Sequence, residues 1–188
     1  MKHPFLIGET IYLRGLDILD AEGDYPAWLN DEEICQFSEH HVYPYTKALA
    51  KAYIEALPSK NDRIMLAIVD RASDIHIGNI TLGAISYLHK SAEFSIMIGN
   101  KSFHGKGISK EASYLLLNHG FNTLNLHRIW CGTMLTNHAM QKLALSLGMI
   151  EEGKCRDEVY KNGKYHTTIR YSLLKHEFNA HKNEMERH

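Results

Sequence analysis

The sequence predicts an α/β protein of the α+β type, with a mixed, mostly antiparallel central sheet flanked by helices. Three observations lead to this prediction. The apolar patterning gives a strand, two or three helices, three strands, and then helix, strand, helix and hairpin. The three central strands are separated by short polar turns, as antiparallel neighbours are. The 188 residues, 44% of them hydrophobic, suffice for one domain with a sizeable core.

The first third of the chain is predicted to hold one strand and several short helices. Apolar and β-favouring residues make 11–14 a strand. Residues typical of helix N-caps precede the helical patterns that follow it, namely Asp17, Asp20, Asp31 and Thr46. Pro26 shortens or interrupts the first of these helices, which runs towards Leu29, and Pro58 ends the last one at Leu57.

The remaining two thirds are predicted to hold the other strands and two longer helices. In order, these are strands at 64–69, 75–87 and 91–98, a helix at 107–119, a strand at 127–133, a helix at 137–147 and a hairpin returning along 167–174. Glycines are assigned to bulges or close approaches at Gly78 and Gly83, to helix ends at Gly120 and Gly148, and to the hairpin turn Asn162-Gly163. The domain is expected to span 1–178, followed by a polar tail at 179–188 that frays over 181–188.

Composition and charge narrow the functional classes. The formal net charge is −1, so no overall basic field indicates a nucleic acid or an anionic membrane as partner. No apolar run approaches the length of a membrane span, and the N-terminal residues lack the pattern of a signal peptide. Cys35, Cys131 and Cys155 are odd in number and far apart, which is typical of free thiols in a cytoplasmic protein. No spacing among the 13 histidines and the cysteines indicates a metal site.

Residues 91–111 carry the most specific pattern in the chain. Residues 94–98 alternate as in a strand, and a helical spacing follows the glycine turn His104-Gly-Lys-Gly-Ile-Ser109. Free backbone N–H groups and the helix dipole at such a turn favour a phosphate or pyrophosphate. Neither common nucleotide motif fits, because Gly99 is one residue too early for a P-loop and Lys110 replaces the last glycine of a dinucleotide fingerprint. An ordinary strand-turn-helix joint is the alternative.

With this turn in place, the chain resembles the GNAT superfamily of acetyl-CoA-dependent N-acetyltransferases, over about residues 10–175. The family signature Gln/Arg-x-x-Gly-x-Gly/Ala corresponds to 104–109, where Gly107 is kept and His104 and Ser109 differ. Four further segments resemble family motifs in the same order: 11–14, 76–80, 91–98 and 137–149. The subgroup that the chain resembles contains ribosomal-protein N-acetyltransferases and enzymes that acetylate nucleotide-linked amino sugars.

The resemblance implies acetyl-CoA as cosubstrate and no metal. It implies that the strand before the glycine turn splays from the next strand in the chain and that the pantetheine arm enters between them. A backbone N–H near Met97 or Ile98 would stabilise the oxyanion. The turn would hold the pyrophosphate, and Lys106 or Lys110 would add charge or else remain solvated on the surface. The implied cofactor-binding residues are Ile96, Met97, Ile98, His104, Gly105, Lys106, Gly107, Ile108, Ser109 and Asn137.

The resemblance makes Glu93 the catalytic base, which deprotonates the acceptor amine through water. A carboxyl group there needs partial burial to raise its pKa towards neutrality, and a solvated or ion-paired glutamate is the alternative. Many family members place a general-acid tyrosine where this chain has Ala144. The alternatives are departure of the thiolate without an acid, a water molecule, or one of the tyrosines Tyr87, Tyr114 and Tyr160. Cys131 is interpreted as a buried structural cysteine and not as a nucleophile.

The acceptor amine is predicted to bind at the loop 37–45, with a contribution from 156–165. The candidate substrate-binding residues are His40, His41, Tyr43 and Tyr45, whose rings can stack on a sugar or base. A packed aromatic loop is the alternative. The favoured acceptor is a small molecule such as a nucleotide-linked amino sugar, because 28–31 and 160–163 look like those enzymes. The alternatives are a peptide N-terminus and a non-catalytic acyl-CoA-binding module, and a homodimer is the assembly considered.

Overall fold

The computed structural model describes residues 1–185, and the side chains of residues 1–180. Within this part the strands are β1 (Leu6–Ile7), β2 (Ile11–Gly15), β3 (Ile64–Asp70), β4 (His76–Ser86), β5 (Ser91–Ile98), β6 (Arg128–Met134), β7 (Ile150–Lys161) and β8 (Lys164–Leu174). The α-helices are α1 (Tyr25–Trp28), α2 (Lys47–Ala56), α3 (Ile108–Asn118), α4 (His138–Ser146) and α5 (Lys175–Met185). None of these helices is both long and apolar enough to cross a membrane.

All of these strands belong to one sheet, in the order β1-β2-β3-β4-β5-β6-β8-β7. Every neighbouring pair is antiparallel except β5 and β6, which are parallel. The predicted fold class, a mostly antiparallel sheet flanked by helices, is confirmed. The two-residue strand β1 is too short to give a periodic signal and was not predicted.

Strand β5 lies inside the sheet, and both of its faces are covered by helices. Its alternation sends Phe94, Ile96 and Ile98 into the larger apolar cluster, to which α3 and α4 also contribute. Met97 points the other way and packs against a smaller cluster formed by Trp28 and other residues of α1 and α2. The period-2 pattern of the sequence therefore separates two helical layers, one on each face of the sheet.

The first third of the chain folds into shorter elements than predicted. A 3₁₀ turn, Ile18–Ala21, and the single turn of α1 replace the one helix expected before Leu29. Asp17 caps the 3₁₀ turn, because its carboxylate accepts the Leu19 N–H at 2.8 Å. The helix capped by Thr46 is confirmed as α2.

The short helix predicted from Asp31 is wrong, because the residues that follow form successive turns. Asp31 accepts the Ile34 N–H at 2.9 Å, the same local bond that an N-cap would make. The carbonyl groups of Cys35 and Ser38, however, accept hydrogen bonds from the ammonium group of Lys161. These bonds hold the segment in turns, and a local N-cap signal could not distinguish the two outcomes.

Two glycines predicted to shape the backbone are required by close packing. Gly78 is confirmed as a close approach, since a Cβ there would lie 2.3 Å from the Met97 carbonyl oxygen. Gly120 does not end α3, contrary to prediction, and the chain continues as a π-helical turn, His119–Thr123. A Cβ on Gly120 would lie 2.9 Å from Ile129 Cδ1, so a larger residue in this turn would force neighbouring side chains of the sheet to shift.

The C-terminal elements follow the prediction as far as β8. The hairpin turns at Asn162-Gly163, and Gly148, directly after the C-cap of α4, has a φ of +81°. Helix α5 then occupies much of the predicted polar tail, because Phe178 is buried in the larger cluster and holds its first turn on the domain. Residues 186–188 of the segment predicted to fray lie outside the described residues.

Gly99, directly after β5, provides a test of how α1 packs on the sheet. A Cβ at this position would lie 1.9 Å from Cδ2 of Trp28, so Gly99→Ala must push the indole ring out of the smaller cluster. We expect overpacking to cost about 1–3 kcal/mol and thermal unfolding to show a Tm roughly 5 °C lower. Gly15→Ala is the matched control, because no atom lies within 4 Å of a Cβ there. Equal losses in the two variants would contradict this packing.

Candidate active site

Strands β5 and β6 run side by side only over their first residues. Residues 91–93 pair with 128–130, and the pairing ends there. From residue 94 onward β5 has no strand partner on this side in the described part of the chain, while β6 continues beside β8 as far as Met134. A gap therefore opens between 94–98 of β5 and 131–134 of β6. This arrangement agrees with the splay that the sequence predicted.

The backbone of β5 presents hydrogen-bonding groups to the gap. Gly99 donates its N–H to the carbonyl oxygen of Ile77 in β4 at 2.9 Å. Because backbone groups alternate along an antiparallel strand, those of Met97 also face β4, whereas those of Ile96 and Ile98 face the gap. A ring nitrogen of His104, Nε2, lies 2.9 Å from the carbonyl oxygen of Ile98. Of the three strand residues predicted to contact the cosubstrate through their backbone, Ile96 and Ile98 therefore present backbone groups to the gap, and Met97 does not.

The glycine turn at the end of β5 forms an open cradle of backbone N–H groups. Gly105 and Gly107 adopt φ values of +74° and +78°, which favour glycine over residues with a Cβ. Helix α3 begins directly after Gly107, so its positive dipole end faces the turn. The N–H groups of residues 105–109 find no acceptor within the described residues. This geometry suits a phosphate or pyrophosphate.

Two lysines add positive charge beside this cradle. Nζ of Lys106 lies 5.0 Å from the ring centroid of Phe103, a cation–π contact that keeps it next to the turn. Lys110 is exposed on the first turn of α3. Neither lysine has a carboxylate partner among the described side chains, so both charges are available to an anion.

Asn137 caps α4, as predicted from the sequence. Its Oδ1 accepts the Met140 N–H at 3.1 Å, and its Nδ2 donates to Oγ1 of Thr133 at 2.9 Å. Thr133 belongs to the part of β6 that borders the gap. The second hydrogen of the Asn137 amide has no acceptor in the part of the chain with described side chains, and it can serve a ligand in the gap.

Glu93 lies where the gap begins, because it is the last residue of β5 that pairs with β6. Its carboxylate is half-buried and has neither a hydrogen bond nor an ion pair to any described residue. Burial raises the pKa of Glu93, the positive charge of Arg170 opposes this, and the negative charge of Glu39 adds to it. A carboxylate with a raised pKa and unoccupied lone pairs can take up a proton through water.

Cys131, one residue beyond the last residue of β6 that pairs with β5, fits the structural interpretation. It is fully buried, and its Sγ lies 3.6 Å from Sδ of Met149. Burial, with the nearby charge of Glu93, raises its pKa to about 12, so the thiol stays protonated and is a poor nucleophile. Within the described residues, no group of three or more His, Cys, Asp or Glu side chains could hold a metal ion.

The four predicted substrate-binding residues come together in one cavity. It has a volume of about 160 Å³ and is lined by Leu29, Glu39, His40, His41, Val42, Tyr43 and Tyr45. Packing around the ring of His40 and the positive charge of Lys161 lower the His40 pKa. Tyr45 is fixed by Asn30, whose Oδ1 accepts its N–H at 2.7 Å and whose Nδ2 donates to its carbonyl oxygen at 2.6 Å. We call residues 35–45 the acceptor loop.

Residues 10–150, most of the chain, match the family described as Acetyltransferase (GNAT) domain. The chain belongs to this family. It is therefore an N-acetyltransferase that uses acetyl-CoA. This cosubstrate is compatible with the gap between β5 and β6 and with the cradle of N–H groups. It is also compatible with the absence of a clustered metal site among the described residues.

Two curated relatives and one crystal structure illustrate the similarity. Spermidine N(1)-acetyltransferase of Vibrio cholerae is 32% identical over 149 residues, which cover 79% of this chain and 84% of that protein. YdaF of Bacillus subtilis, provisionally named a ribosomal N-acetyltransferase, is 35% identical over 105 residues, 56% of this chain and 57% of its own length. The crystal structure of the V. cholerae spermidine N-acetyltransferase with CoA and spermine has a TM-score of 0.83 at 25% identity. It covers 90% of this chain and 98% of that one.

This GNAT acetyltransferase has no tyrosine at the position of the usual general acid. Ala144 is there, and it is buried in the larger cluster. Of the tyrosines considered from the sequence, Tyr160 contacts Tyr165 at 5.0 Å between ring centroids, at the hairpin tip, and Tyr114 contacts Phe178 at 5.4 Å. Tyr87 is 55% exposed in the turn before β5.

Sequence reasoning missed three residues that shape the acceptor side of the GNAT site. Glu39 and Arg170 act on Glu93 by charge, and Lys161 bonds to the acceptor loop. Arg170 and Lys161 belong to the C-terminal hairpin, and part of this hairpin was predicted to contribute to the acceptor site. The predicted contribution of residues 156–165 to the acceptor site was the sequence signal for this region, but no local pattern distinguished Arg170 or Lys161 from the other residues of the hairpin.

Gly107 provides a test of the cradle. Its φ of +78° strains any residue with a Cβ, so Gly107→Ala is expected to distort the turn and raise the Kd of acetyl-CoA about fivefold or more. Gly163→Ala is the matched control, because Gly163 has a φ of +80° in an equally open turn of the hairpin. We expect similar losses in Tm for both variants, and weaker binding in isothermal titration only for Gly107→Ala. Unchanged binding in that variant would contradict the cradle.

Proposed function

We propose that this GNAT acetyltransferase transfers the acetyl group of acetyl-CoA directly to a primary amine of a small molecule, with Glu93 as the base. The observation that carries this proposal is the position of Glu93. Its half-buried carboxylate has no partner among the described residues and lies where the gap for the cosubstrate begins. Glu93 is on the same face of β5 as Met97, which is the face covered by α1 and α2. The acceptor loop supplies a cavity on the acceptor side of this carboxylate.

Acetyl-CoA supplies an activated acetyl thioester. The chain's own groups then have separate tasks. Glu93 accepts the proton of the ammonium group through water, which makes the amine nucleophilic. The Ile98 N–H faces the gap and can donate to an oxyanion. The amides of 105–109 with Lys106 hold the pyrophosphate, and Asn137 donates to the pantetheine arm.

Departure of the thiolate without a side-chain acid is the mechanism that we favour. Ala144 has no ionisable group. The rings of Tyr114 and Tyr160 pack against Phe178 and Tyr165, and Tyr87 is 55% exposed in the turn before β5, so none of the three is placed at the gap by the contacts that it makes. The protonated thiol of Cys131 is packed against Met149 in the core. After the attack, the nitrogen still carries a proton that must leave as the tetrahedral intermediate collapses, and a water molecule in the gap can pass this proton to the departing thiolate.

The carboxylates around the acceptor loop favour an acceptor with a second positive charge. Glu39 and Glu93 are both negative and close enough for Glu39 to raise the Glu93 pKa. The nearby positive groups already have partners, because Arg170 pairs with Glu158 and Lys161 is bound by the loop carbonyls. A polyamine satisfies this arrangement, whereas the phosphates of a nucleotide-linked amino sugar would be repelled. The relatives named above are described by spermidine or by ribosomal substrates, so the amino sugar that the sequence favoured gains no support from them. A peptide with a basic N-terminus is the second candidate, on the same charge argument and on the similarity to YdaF.

The proposal is tested by offering acetyl-CoA with spermidine, a nucleotide-linked amino sugar or a basic peptide, and measuring the release of free CoA thiol. We expect turnover with spermidine and little with the sugar. Binding of acetyl-CoA without turnover on any amine would refute the proposal and favour a non-catalytic acyl-CoA-binding module. Because Cys35, Cys131 and Cys155 are all unpaired, we place this reaction in the cytoplasm.

A further inference from the structure

Lys161 joins two distant parts of the chain through one ammonium group. It is the last residue of β7, and its Nζ lies 2.6 Å from the carbonyl oxygen of Cys35, 2.5 Å from that of Ser38 and 3.2 Å from that of His40. An ammonium group has three hydrogens, so these bonds use its full donor capacity. It forms no ion pair with any described side chain, so its bonding is entirely to backbone of the acceptor loop.

Within the described part of the chain, no other strand or helix holds the middle of the acceptor loop by hydrogen bonds. Its C-terminal end is fixed by Asn30 through the backbone of Tyr45. Cys35, at its start, is buried and donates its thiol to the Trp28 carbonyl oxygen at 3.2 Å. Gln36 donates its N–H to the carbonyl oxygen of Glu33 at 3.4 Å. At residues 37–41, all hydrogen bonds from outside the loop within the described residues come from Lys161. The carbonyl oxygen of Cys35 also accepts the N–H of Ser38 at 3.1 Å, whereas those of Ser38 and His40 accept no other hydrogen bond from the described residues.

One of the residues held in this way, His40, lines the acceptor cavity, and so does its neighbour Glu39. Glu39 lies between the two tied carbonyls of Ser38 and His40, and its charge reaches Glu93. His40 contributes both a tied carbonyl and a ring that lines the cavity. A displacement of this backbone would therefore move both the negative charge and the ring that face the acceptor.

We infer that Lys161 is a positioning residue that holds the acceptor loop in the shape that binds the amine acceptor. This inference rests on the proposed function, in which the acceptor loop forms the acceptor site. Lys161 does not itself touch the acceptor, because its donors are occupied by the loop. Its loss should therefore affect the acceptor more than the cosubstrate, whose cradle lies on the other side of β5 at 105–109.

The test compares Lys161→Met with Lys161→Arg and with the control Lys154→Met. Methionine keeps the apolar stem but has no donor, arginine restores donors, and Lys154 is an exposed lysine on the same strand, β7, outside the segment predicted to contribute to the acceptor site. In Lys161→Met we expect hydrogen exchange at 36–41, followed by mass spectrometry, to accelerate about tenfold or more. We expect the KM for spermidine to rise about tenfold, with kcat and the Kd of acetyl-CoA changed less than about twofold. Arginine should recover most of both effects, and Lys154→Met should show neither.

Unchanged exchange at 36–41 in Lys161→Met would overturn the inference. Faster exchange with an unchanged KM for spermidine would also overturn it, since Lys161 would then stabilise the loop without affecting acceptor binding. The exchange experiment needs no acceptor, so it decides whether Lys161 holds the loop even for a protein that acetylates none of the amines offered. The absence of turnover with every amine offered would refute the proposed function. It is distinguishable from unchanged exchange at 36–41, which would show that Lys161 does not hold the loop.

Discussion

Replacing Glu93 with glutamine is expected to lower kcat about 100-fold or more, because an amide cannot accept the proton of the acceptor amine. Glutamine keeps the shape of the side chain, and Glu93 has no described ion pair to lose, so folding should be preserved. The Kd of acetyl-CoA, measured by isothermal titration, should change by less than about twofold, since the cradle and the gap-facing backbone groups are untouched. A sensor-type protein that only binds acyl-CoA would show no comparable loss of output.

The pH dependence of this variant gives a second, independent readout. The pKa of Glu93 is raised above the ordinary carboxyl value, first by burial, and the base is active only when ionised. In the wild type, kcat/KM should therefore fall as the pH drops through the pKa of Glu93, which lies above that of an ordinary glutamate. This decrease of kcat/KM at acidic pH should be absent from Glu93→Gln. Glu55→Gln, an exposed change on α2, is the control and should retain wild-type rates. Retention of full activity in Glu93→Gln would remove the proposed base.

The parts of the site that could be predicted from sequence are those whose signals are local. The strand β5, the glycine turn and α3 follow one another within residues 91–118, and each has its own pattern of alternation, glycine or helical spacing. The capping role of Asn137 depends on a bond to Met140, three residues away, and was predicted for the same reason. Local patterns therefore predicted the glycine turn and the starts of α3 and α4.

The parts that sequence patterns could not predict depend on distant residues. Lys161 and Cys35 are separated by 126 positions, and no periodicity connects an ammonium group with a backbone carbonyl so far away. The splay of β5 from β6 was implied by the family resemblance alone, since patterning does not show where the pairing of two strands ends. Gly120 shows a different difficulty. Glycine is common both at helix ends and where elements pack closely, so the sequence could not distinguish the predicted helix end from the close packing that the structure shows.

Asp20 shows how such a long-range arrangement stabilises the acceptor side. It is 7% exposed, and its carboxylate receives two hydrogen bonds from the guanidinium of Arg14, each at 2.7 Å. Nδ1 of His76 lies 3.2 Å away, and the Asp17 N–H donates at 2.7 Å. The ring of His76 in turn contacts Trp28 at 4.9 Å between centroids. The network thereby connects β2 and β4 to the helical layer that covers β5.

Asp20→Ala is expected to lower the free energy of unfolding by about 3–5 kcal/mol, because it leaves the largely buried guanidinium of Arg14 without its partner. The Tm should fall by roughly 10 °C or more at neutral pH. Glu22→Gln is the matched control, because Glu22 pairs with Lys47 and Lys51 at the surface, where ion pairs contribute little. A Tm for Asp20→Ala within the range of this control would contradict the role of the network.

The effect of pH on Asp20 has a definite sign. Burial opposes ionisation of Asp20, but the hydrogen bonds from Arg14 and His76 outweigh it and hold the Asp20 pKa well below its usual value. A depressed pKa stabilises the folded state above the unfolded-state value of about 4, and this contribution is lost as the pH falls below it. The difference in Tm between the wild type and Asp20→Asn should therefore be largest near pH 7 and shrink steadily below about pH 4. A difference that stayed constant down to the acid limit of folding would show that packing, and not the charge of Asp20, accounts for the loss.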